Sequence, residues 1–305
     1  MQQLRKRRIG LLRGDPSGIG PEVAGKLLDI PQIRESADVV TLGDEPPGCP
    51  AGKASAAAGR YVLDSLHLAC EVIRRGEIDA LVYAPLNKQA MKMAGLEEED
   101  ELRLLAKLLG HTGYCSEINI CGALWTTRVT SHVPLSAVAG LITAEGVYNA
   151  ARFIDRALKD SGTPSPRIAV AGLNPHAGEG GLLGTEEIRE IGPGIERARA
   201  EGIAATGPFP ADTVFIAASR GDFDAVVTMY HDQGQIATKL LGFDRGVTLL
   251  AGLPVPITTP AHGTAFDIAG MGVASVGPIR EAFAIATRLS MSFLSRDSNG
   301  AVRLP

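Results

Sequence analysis

The feature that most constrains this chain is an alternation that runs nearly end to end. Short apolar or β-branched runs read as strands at Arg8–Arg13, Val39–Leu42, Ala80–Ala84, Glu117–Cys121, Thr127–Thr130, Arg167–Ala171, Asp224–Thr228 and Val247–Ala251. Between them lie segments with helical spacing. One follows Pro21 through Glu22 to Leu28, and others cover Ala54–Arg75, the stretch opened by the acidic Glu97–Glu101, Thr143–Lys159, Thr185–Glu201 and Arg280–Leu294. Pro21 suits a first helical position, where its missing N–H costs nothing. Negative charge at Glu97–Glu101 suits a helix N-terminus. Strands and helices in this order predict an α/β sheet. A chain of 305 residues exceeds one ordinary core and suits two such domains sharing a cleft.

Composition removes several functional classes. With 45% hydrophobic and 21% charged residues, the chain has the balance of a globular enzyme. Its net charge of −4 argues against a nucleic-acid surface. The one basic run, Arg5-Lys6-Arg7-Arg8, reads as a solvated approach to the first strand or as a small phosphate-binding patch. No signal-peptide core follows it, because Gly10, Arg13 and Asp15 interrupt, and no long apolar run spans a membrane. The expectation is a cytoplasmic protein with a small-molecule substrate, no nucleic acid and no membrane. Cys49, Cys70, Cys115 and Cys121 show no metal-knuckle spacing and read as scattered reduced thiols, with Cys115 and Cys121 the only conceivable redox pair.

Several loops carry candidate chemistry. The glycine-rich segment Gly14–Gly20 matches neither the P-loop nor the dinucleotide fingerprint, and reads as a strand-to-helix turn or, with Glu22 beside it, as a ligand loop. Five of six histidines, His111, His132, His176, His231 and His262, lie in turn-like settings, whereas His67 sits in an amphipathic helix. His132, His176 and His231 each follow a strand. Neighbouring parallel strands would gather them at one sheet edge as a divalent-metal site; separate turn-capping histidines are the alternative. Lys239 either holds a substrate anion and moves protons, or is merely solvated. Asp212 reads as a site residue or a helix N-cap.

Taken together, the strings GDPSGIGPEV (Gly14–Val23), PLNK (Pro85–Lys88), GHT (Gly110–Thr112), SHVPL (Ser131–Leu135), GLNPHAGEGG (Gly172–Gly181), GPFPADTVF (Gly207–Phe215), MYHDQG (Met229–Gly234) and HGTAFDIAG (His262–Gly270) resemble the 4-hydroxythreonine-4-phosphate dehydrogenase family. That family is related to isocitrate and isopropylmalate dehydrogenases. The resemblance implies a two-domain α/β/α fold of the isocitrate/isopropylmalate dehydrogenase type with the active site in the interdomain cleft. It implies residues 1–113 plus 240–305 as an NAD-binding domain and 114–239 as a metal, substrate and dimerisation domain. It further implies a homodimer with shared active sites. His132, His176 and His231 match the metal ligands for Zn, Co, Mg, Mn or Ni. His111, Thr112 and Lys239 match substrate-binding positions, and His262, Gly263, Thr264, Ala265 and Asp267 match the loop holding the adenosine of NAD. Lys239 then orients the substrate in the catalytic set, with Asp232 and Asp212 supporting the ligands.

The implied chemistry is metal-dependent oxidation of a secondary alcohol on a small acidic substrate, with or without a phosphate, with NAD as acceptor. Decarboxylation follows if the alcohol is β to a carboxylate. The chain departs from the family at several places. Thr248 stands where the family has a substrate-binding Asn, Ile257 where it has a substrate-binding Arg, and Gly113 where it has Glu. Leu96–Lys107 is also rearranged. Loss of an anion-pairing fork points to a paralogue with a different substrate. Competing expectations are a cis-dihydrodiol carboxylate dehydrogenase of the same family and a metal-dependent lyase without NAD.

Overall fold

A computed structural model describes residues 5–44, 48–242 and 245–297, with side chains to residue 292. Pro46 and Pro47 of the loop expected over Pro46–Gly52, Asp244, and the extreme termini lie outside the described residues. The chain divides into two compact units, Met1–Glu117 with Val247–Pro305, and Ile118–Gly246. The sequence placed the divisions after residues 113 and 239. The second shifts because the helix carrying Lys239 continues unbroken to Gly242 before the next strand starts at Gly246.

Unit 1 has strands β1 (Arg8–Leu12), β2 (Asp38–Thr41), β3 (Ala80–Tyr83), β9 (Gly246–Ala251) and β10 (Ile257–Pro260). Their order is β2-β1-β3-β10-β9, parallel except for β9, which runs antiparallel to β10. Its helices are α1 (Gly20–Leu28), α2 (Pro31–Ser36), α3 (Ala56–Arg74), α4 (Lys88–Met93), α5 (Glu101–Leu108) and α11 (Gly277–Asp297). Successive strand residues face opposite sides. Leu81, Tyr83 and Ile257 join the core under α3, α4 and α5. Thr258, between them in parity, instead donates its hydroxyl to Ala282 O of α11 at 2.9 Å. The sheet is thereby covered on both faces.

Unit 2 contains β4 (Ser116–Cys121, from Ile118 onward), β5 (Leu124–Arg128), β6 (Ile168–Ala171), β7 (Ala205–Phe209) and β8 (Ala225–Thr228), in the order β4-β5-β8-β6-β7. Its helices are α6 (Leu135–Leu141), α7 (Ala144–Asp160), α8 (Gly192–Ala200), α9 (Ala211–Ser219) and α10 (His231–Gly242). Ala169, Ala171 and Val226 pack against Val214, Phe215 and Ala218 of α9. Ile168, Val170 and Val227 have the opposite parity and face the side of α7.

Side-chain caps start four helices. Ser55, Asn87, Asp100 and Thr143 accept from the amides of Ala58, Ala90, Arg103 and Gly146 at 2.9–3.1 Å. Each such cap contributes about 0.5–2 kcal/mol. All four cysteines are free thiols, and burial pushes the Cys70 thiol up to about 12, leaving it inert. Among the described residues no helix is long and apolar enough to cross a membrane.

Candidate functional site

Unit 2 concentrates its candidate chemistry at one sheet edge. Strands β5, β8 and β6 are adjacent and parallel, so their C-terminal ends lie side by side. His132 follows β5, His231 opens α10 just past β8, and His176 lies beyond β6. The rings of His132 and His231 stand 5.6 Å apart, centroid to centroid, with a 43° tilt. Two imidazoles sharing a tetrahedral ion, each nitrogen about 2.0–2.1 Å from it, have centroids about 5 Å apart. The pair therefore fits one divalent cation after a small adjustment. His231 Nδ1 lies 2.7 Å from Asp232 Oδ1, which orients the ring and leaves Nε2 as the ligating atom.

The loops carrying these rings are tied to one another through Met229. Thr130 donates to Met229 O from both its amide, at 3.0 Å, and its hydroxyl, at 2.8 Å. Gln233 accepts from Met229 N at 2.7 Å and donates to Gly172 O at 2.9 Å, where the His176 loop begins. That loop is braced by Glu187, which is buried. Its Oε1 accepts from the amides of Leu173 and Asn174 at 2.8 and 2.7 Å, and its Oε2 accepts from Asn174 Nδ2 at 2.9 Å. His132 and His176 hold left-handed backbone at φ 53° and 52°, and Ala177 and Glu179 do likewise. Such strain costs of order 1–3 kcal/mol per residue and persists where surrounding contacts over-determine it.

Within the described residues His132, His176 and His231 do not bring one ring nitrogen each to within 4.8 Å of one another. Lys239 lies two turns into α10 and is exposed. Asp212 is exposed in the first turn of α9, where Pro210 occupies the cap, so the N-cap reading of Asp212 does not hold.

Unit 1 carries a different kind of site. The 262–270 loop is packed by glycine-mediated approach rather than by side-chain ligands. Ile19 N donates to Thr264 O at 3.0 Å, and a Cβ on Gly18 would lie 2.7 Å from Thr264. A Cβ on Gly52 would lie 2.9 Å from Phe266 O. The Gly14–Gly20 segment is thus the floor beneath this loop. Ala265 adopts φ 44°, His262 Nδ1 contacts Gly263 O at 2.9 Å, and space beside Gly263 is open. Among the described residues, the amides of Gly263 to Asp267 donate to no protein acceptor. A strained loop with open space and undonated amides fits a nucleotide that accepts backbone hydrogen bonds.

Glu22 takes a positioning task here. It accepts from Lys26 Nζ at 2.7 Å and from the amides of Ala274 and Gly272 at 2.8 and 3.2 Å. These contacts, led by the Lys26 hydrogen bond, hold its carboxyl below the usual range despite some burial. Asp15 is fully buried and accepts from Ser17 N at 2.7 Å; burial pushes its carboxyl up. In the GHT loop the amide of His111 donates to Ala106 O at 2.9 Å, closing α5, and Thr112 is exposed. His111 Nε2 is buried and makes no hydrogen bond among the described residues. The ring covers Gly113, where a Cβ would lie 2.8 Å from His111 Cε1, so a larger residue here would have to displace the His111 ring. Ile257 is fully buried in the core under α3, with no path for an anion.

Comparison with known proteins gives the fold type and the family. The fold is of the isocitrate dehydrogenase type: the isocitrate dehydrogenase of Methylococcus capsulatus superposes with a TM-score of 0.51 at 15% identity, covering 95% of this chain and 99% of that one. Residues 19–286 match the model of the pyridoxal phosphate biosynthetic protein PdxA family, and the chain belongs to that family. A protein of Pseudomonas aeruginosa provisionally named 4-hydroxythreonine-4-phosphate dehydrogenase 2 is 48% identical, over 92% of this chain and 96% of its own. The D-threonate 4-phosphate dehydrogenase of Salmonella typhimurium is 36% identical over 94% and 99%. The crystal structure of a 4-hydroxythreonine-4-phosphate dehydrogenase from Burkholderia phymatum gives a TM-score of 0.76 at 34% identity, covering 93% and 98%.

The sequence pointed to the histidines but missed the residues that hold them. Glu187 and Gln233 read as ordinary helical polar residues, and only their place beside the histidine strings hinted otherwise. The glycine at position 18 was legible as a turn residue, whereas its approach to Thr264 needs the fold.

Proposed function

We propose that this chain is a divalent-metal-dependent, NAD-using dehydrogenase that oxidises a secondary alcohol on a small acidic substrate. The observation that carries the reading is the His132–His231 pair, 5.6 Å apart on neighbouring strand ends with Asp232 orienting one ring. A bare binding role gives no reason to hold His132 in left-handed backbone opposite a second imidazole. A divalent cation, held by His132 and His231, would supply Lewis-acid stabilisation of the substrate alkoxide, and NAD, held by the 262–270 loop, would serve as the hydride acceptor.

The chain's own residues divide the remaining work. His132 and His231 hold the cation, with His176 as the third ligand. Asp232 fixes the His231 tautomer, because a carboxylate at Nδ1 keeps the proton there and the lone pair on Nε2. Lys239, His111 and Thr112 bind anionic and hydroxyl groups of the substrate, and Lys239 orients it for proton loss. Asp212, exposed at the start of α9, supports the ligand set. His262, Gly263, Thr264, Ala265 and Asp267 seat the adenosine through backbone amides. The dehydrogenase names of the relatives support oxidation over the lyase alternative, as does the intact nucleotide loop.

A homodimer completes this site. Each histidine is followed by exposed apolar residues: Leu135 and Leu141 after His132, Leu182 and Ile188 after His176, Ile236 and Leu240 after His231. Apolar surface of this extent on one unit marks an association face. The three histidines do not close into one cluster within a chain, and His176 is then supplied by a second copy. The test is NADH formation from four-carbon hydroxy acids by metal-loaded protein. Signal lost on chelation supports the reading, and turnover that survives chelation contradicts it. In mixed dimers, H176A combined with H231A should regain activity at one of two sites, whereas no regain would refute sharing.

A further inference from the structure

Unit 1 contains a polar recess of about 180 Å³ where the ends of β3, β9 and β10 meet α4 and α5. It is smaller than the ~300–1,000 Å³ of a whole-ligand pocket, so it suits one end of a small molecule. Its lining includes Tyr83, Lys88, Glu101, Glu117, Thr248 and His262. His262 opens the loop assigned above to NAD, and Thr248 replaces the family's substrate-binding Asn. This recess therefore belongs to the substrate side of the proposed dehydrogenase, and its assignment rests on that reading.

Two features set its chemistry. Tyr83 is only 1% exposed, yet its Oη makes no hydrogen bond among the described residues. A buried hydroxyl of this kind is held at a cost unless a ligand pairs with it. Burial, then the carboxylates of Glu101, Glu117 and Asp100, and last a contact with Glu101 too poorly placed to count as a full hydrogen bond, push its pKa well up, so Oη stays protonated and can both donate and accept. Glu101 Oε2 is likewise buried without a hydrogen bond, and its nearest cation, Lys88 Nζ, stands off at 3.7 Å. Burial raises the Glu101 carboxyl, against the pull of Lys88.

The lining places the carboxyl groups of Glu101 and Glu117 beside the half-exposed Lys88, with Glu117 engaged by a partner of its own. A phosphate dianion entering it would meet like charge in a poorly solvated wall, which is strongly unfavourable. A hydroxyl group would donate to Glu101 and pair with Tyr83 Oη.

We propose that this recess is a specificity pocket for one end of the substrate, that it takes a hydrogen-bond-donating hydroxymethyl group, and that it rejects a phosphate there. Tyr83 and Glu101 are the residues that discriminate.

The test compares kcat/KM of the full-length, metal-loaded protein for threonate, 4-hydroxythreonine and their 4-phosphates, with NAD as acceptor. The unphosphorylated compounds are expected to lead their phosphates by at least tenfold. Glu101→Gln should narrow that preference about tenfold. Tyr83→Phe should raise KM for the better unphosphorylated substrate about tenfold, with kcat and Tm maintained. Threonate and 4-hydroxythreonine share the C4 hydroxymethyl, so a lead over the 4-phosphate shown by both supports recognition of that hydroxyl. Phosphorylated substrates leading, with E101Q and Y83F unchanged in selectivity, would overturn the proposal and leave the dehydrogenase reading intact. Absence of turnover with all four compounds would count against the dehydrogenase reading for this class. The recess is then judged by thermal shift: protection by the unphosphorylated acids that Y83F abolishes supports it, and equal protection by the phosphates refutes it.

Discussion

The two candidate sites are built on opposite principles. At the edge of unit 2, side chains do the work: two imidazoles, an orienting carboxylate and a histidine loop braced by Glu187. In unit 1 the nucleotide loop depends on side chains that are missing. Gly18 and Gly52 let backbone approach backbone, and among the described residues the amides of Gly263 to Asp267 donate to no protein acceptor. A side-chain site fails when one group is removed. A backbone site fails when one atom is added.

That contrast can be broken by mutation. The largest effect is expected for His231→Ala, which removes a ligand and the partner of Asp232 together. Stabilisation by a metal is worth several kcal/mol, and each 1.36 kcal/mol is tenfold, so turnover should fall roughly 1,000-fold while NAD affinity is kept. Retained turnover would show that unit 2 holds no metal. Next is Glu187→Ala, which strands two loop amides and an amide side chain. A loss of about 1–3 kcal/mol per unmet group is expected, with weaker metal binding but unchanged NAD binding. Unaltered metal affinity would separate Glu187 from the site.

Gly18→Ala tests the other side of the comparison. The added methyl group would sit 2.7 Å from Thr264, and overpacking of this kind costs about 1–3 kcal/mol. NAD affinity should fall while cobalt binding at unit 2 is untouched; a variant that binds NAD normally would remove the floor role of the Gly14–Gly20 segment. The smallest effect concerns Glu22. Its carboxyl is held below the ordinary 4.5, first by the Lys26 hydrogen bond. A depressed folded pKa contributes stability above the unfolded value, lost as pH falls through the folded one. Wild type should exceed Glu22→Gln in Tm at neutral pH, and the gap should close in acid. A gap independent of pH would show that the 272–274 turn is held by other contacts.

Much of the fold was legible in the sequence, for identifiable reasons. The buried strands were readable because β-branched runs such as Ala225–Thr228 admit little else, and helices with side-chain caps at Ser55 and Thr143 declared their starts. Helices without such a signal were missed. Both α6 and α9 start after a proline with no side-chain cap, and α4 was hidden because Pro85-Leu86-Asn87 reads as a turn although Asn87 is its N-cap. Strand β10, Ile257–Pro260, lay in a Gly/Pro-rich stretch that carries no strand signal. The histidines were visible as strand-end residues. That His132 pairs with His231 rather than His176 follows from β5 lying beside β8, an order no local pattern encodes. Tyr83 and Glu101 read separately as a strand residue and a helix-start acid. Only the fold places them around one recess.

The central claim is that His132 and His231 hold a divalent cation, and cobalt tests it most directly. Titration of Co²⁺ into the metal-free protein, followed by visible absorption, should give a saturable low-coordinate spectrum that is lost in both His132→Ala and His231→Ala. The same spectrum at the same affinity in either variant would contradict the account.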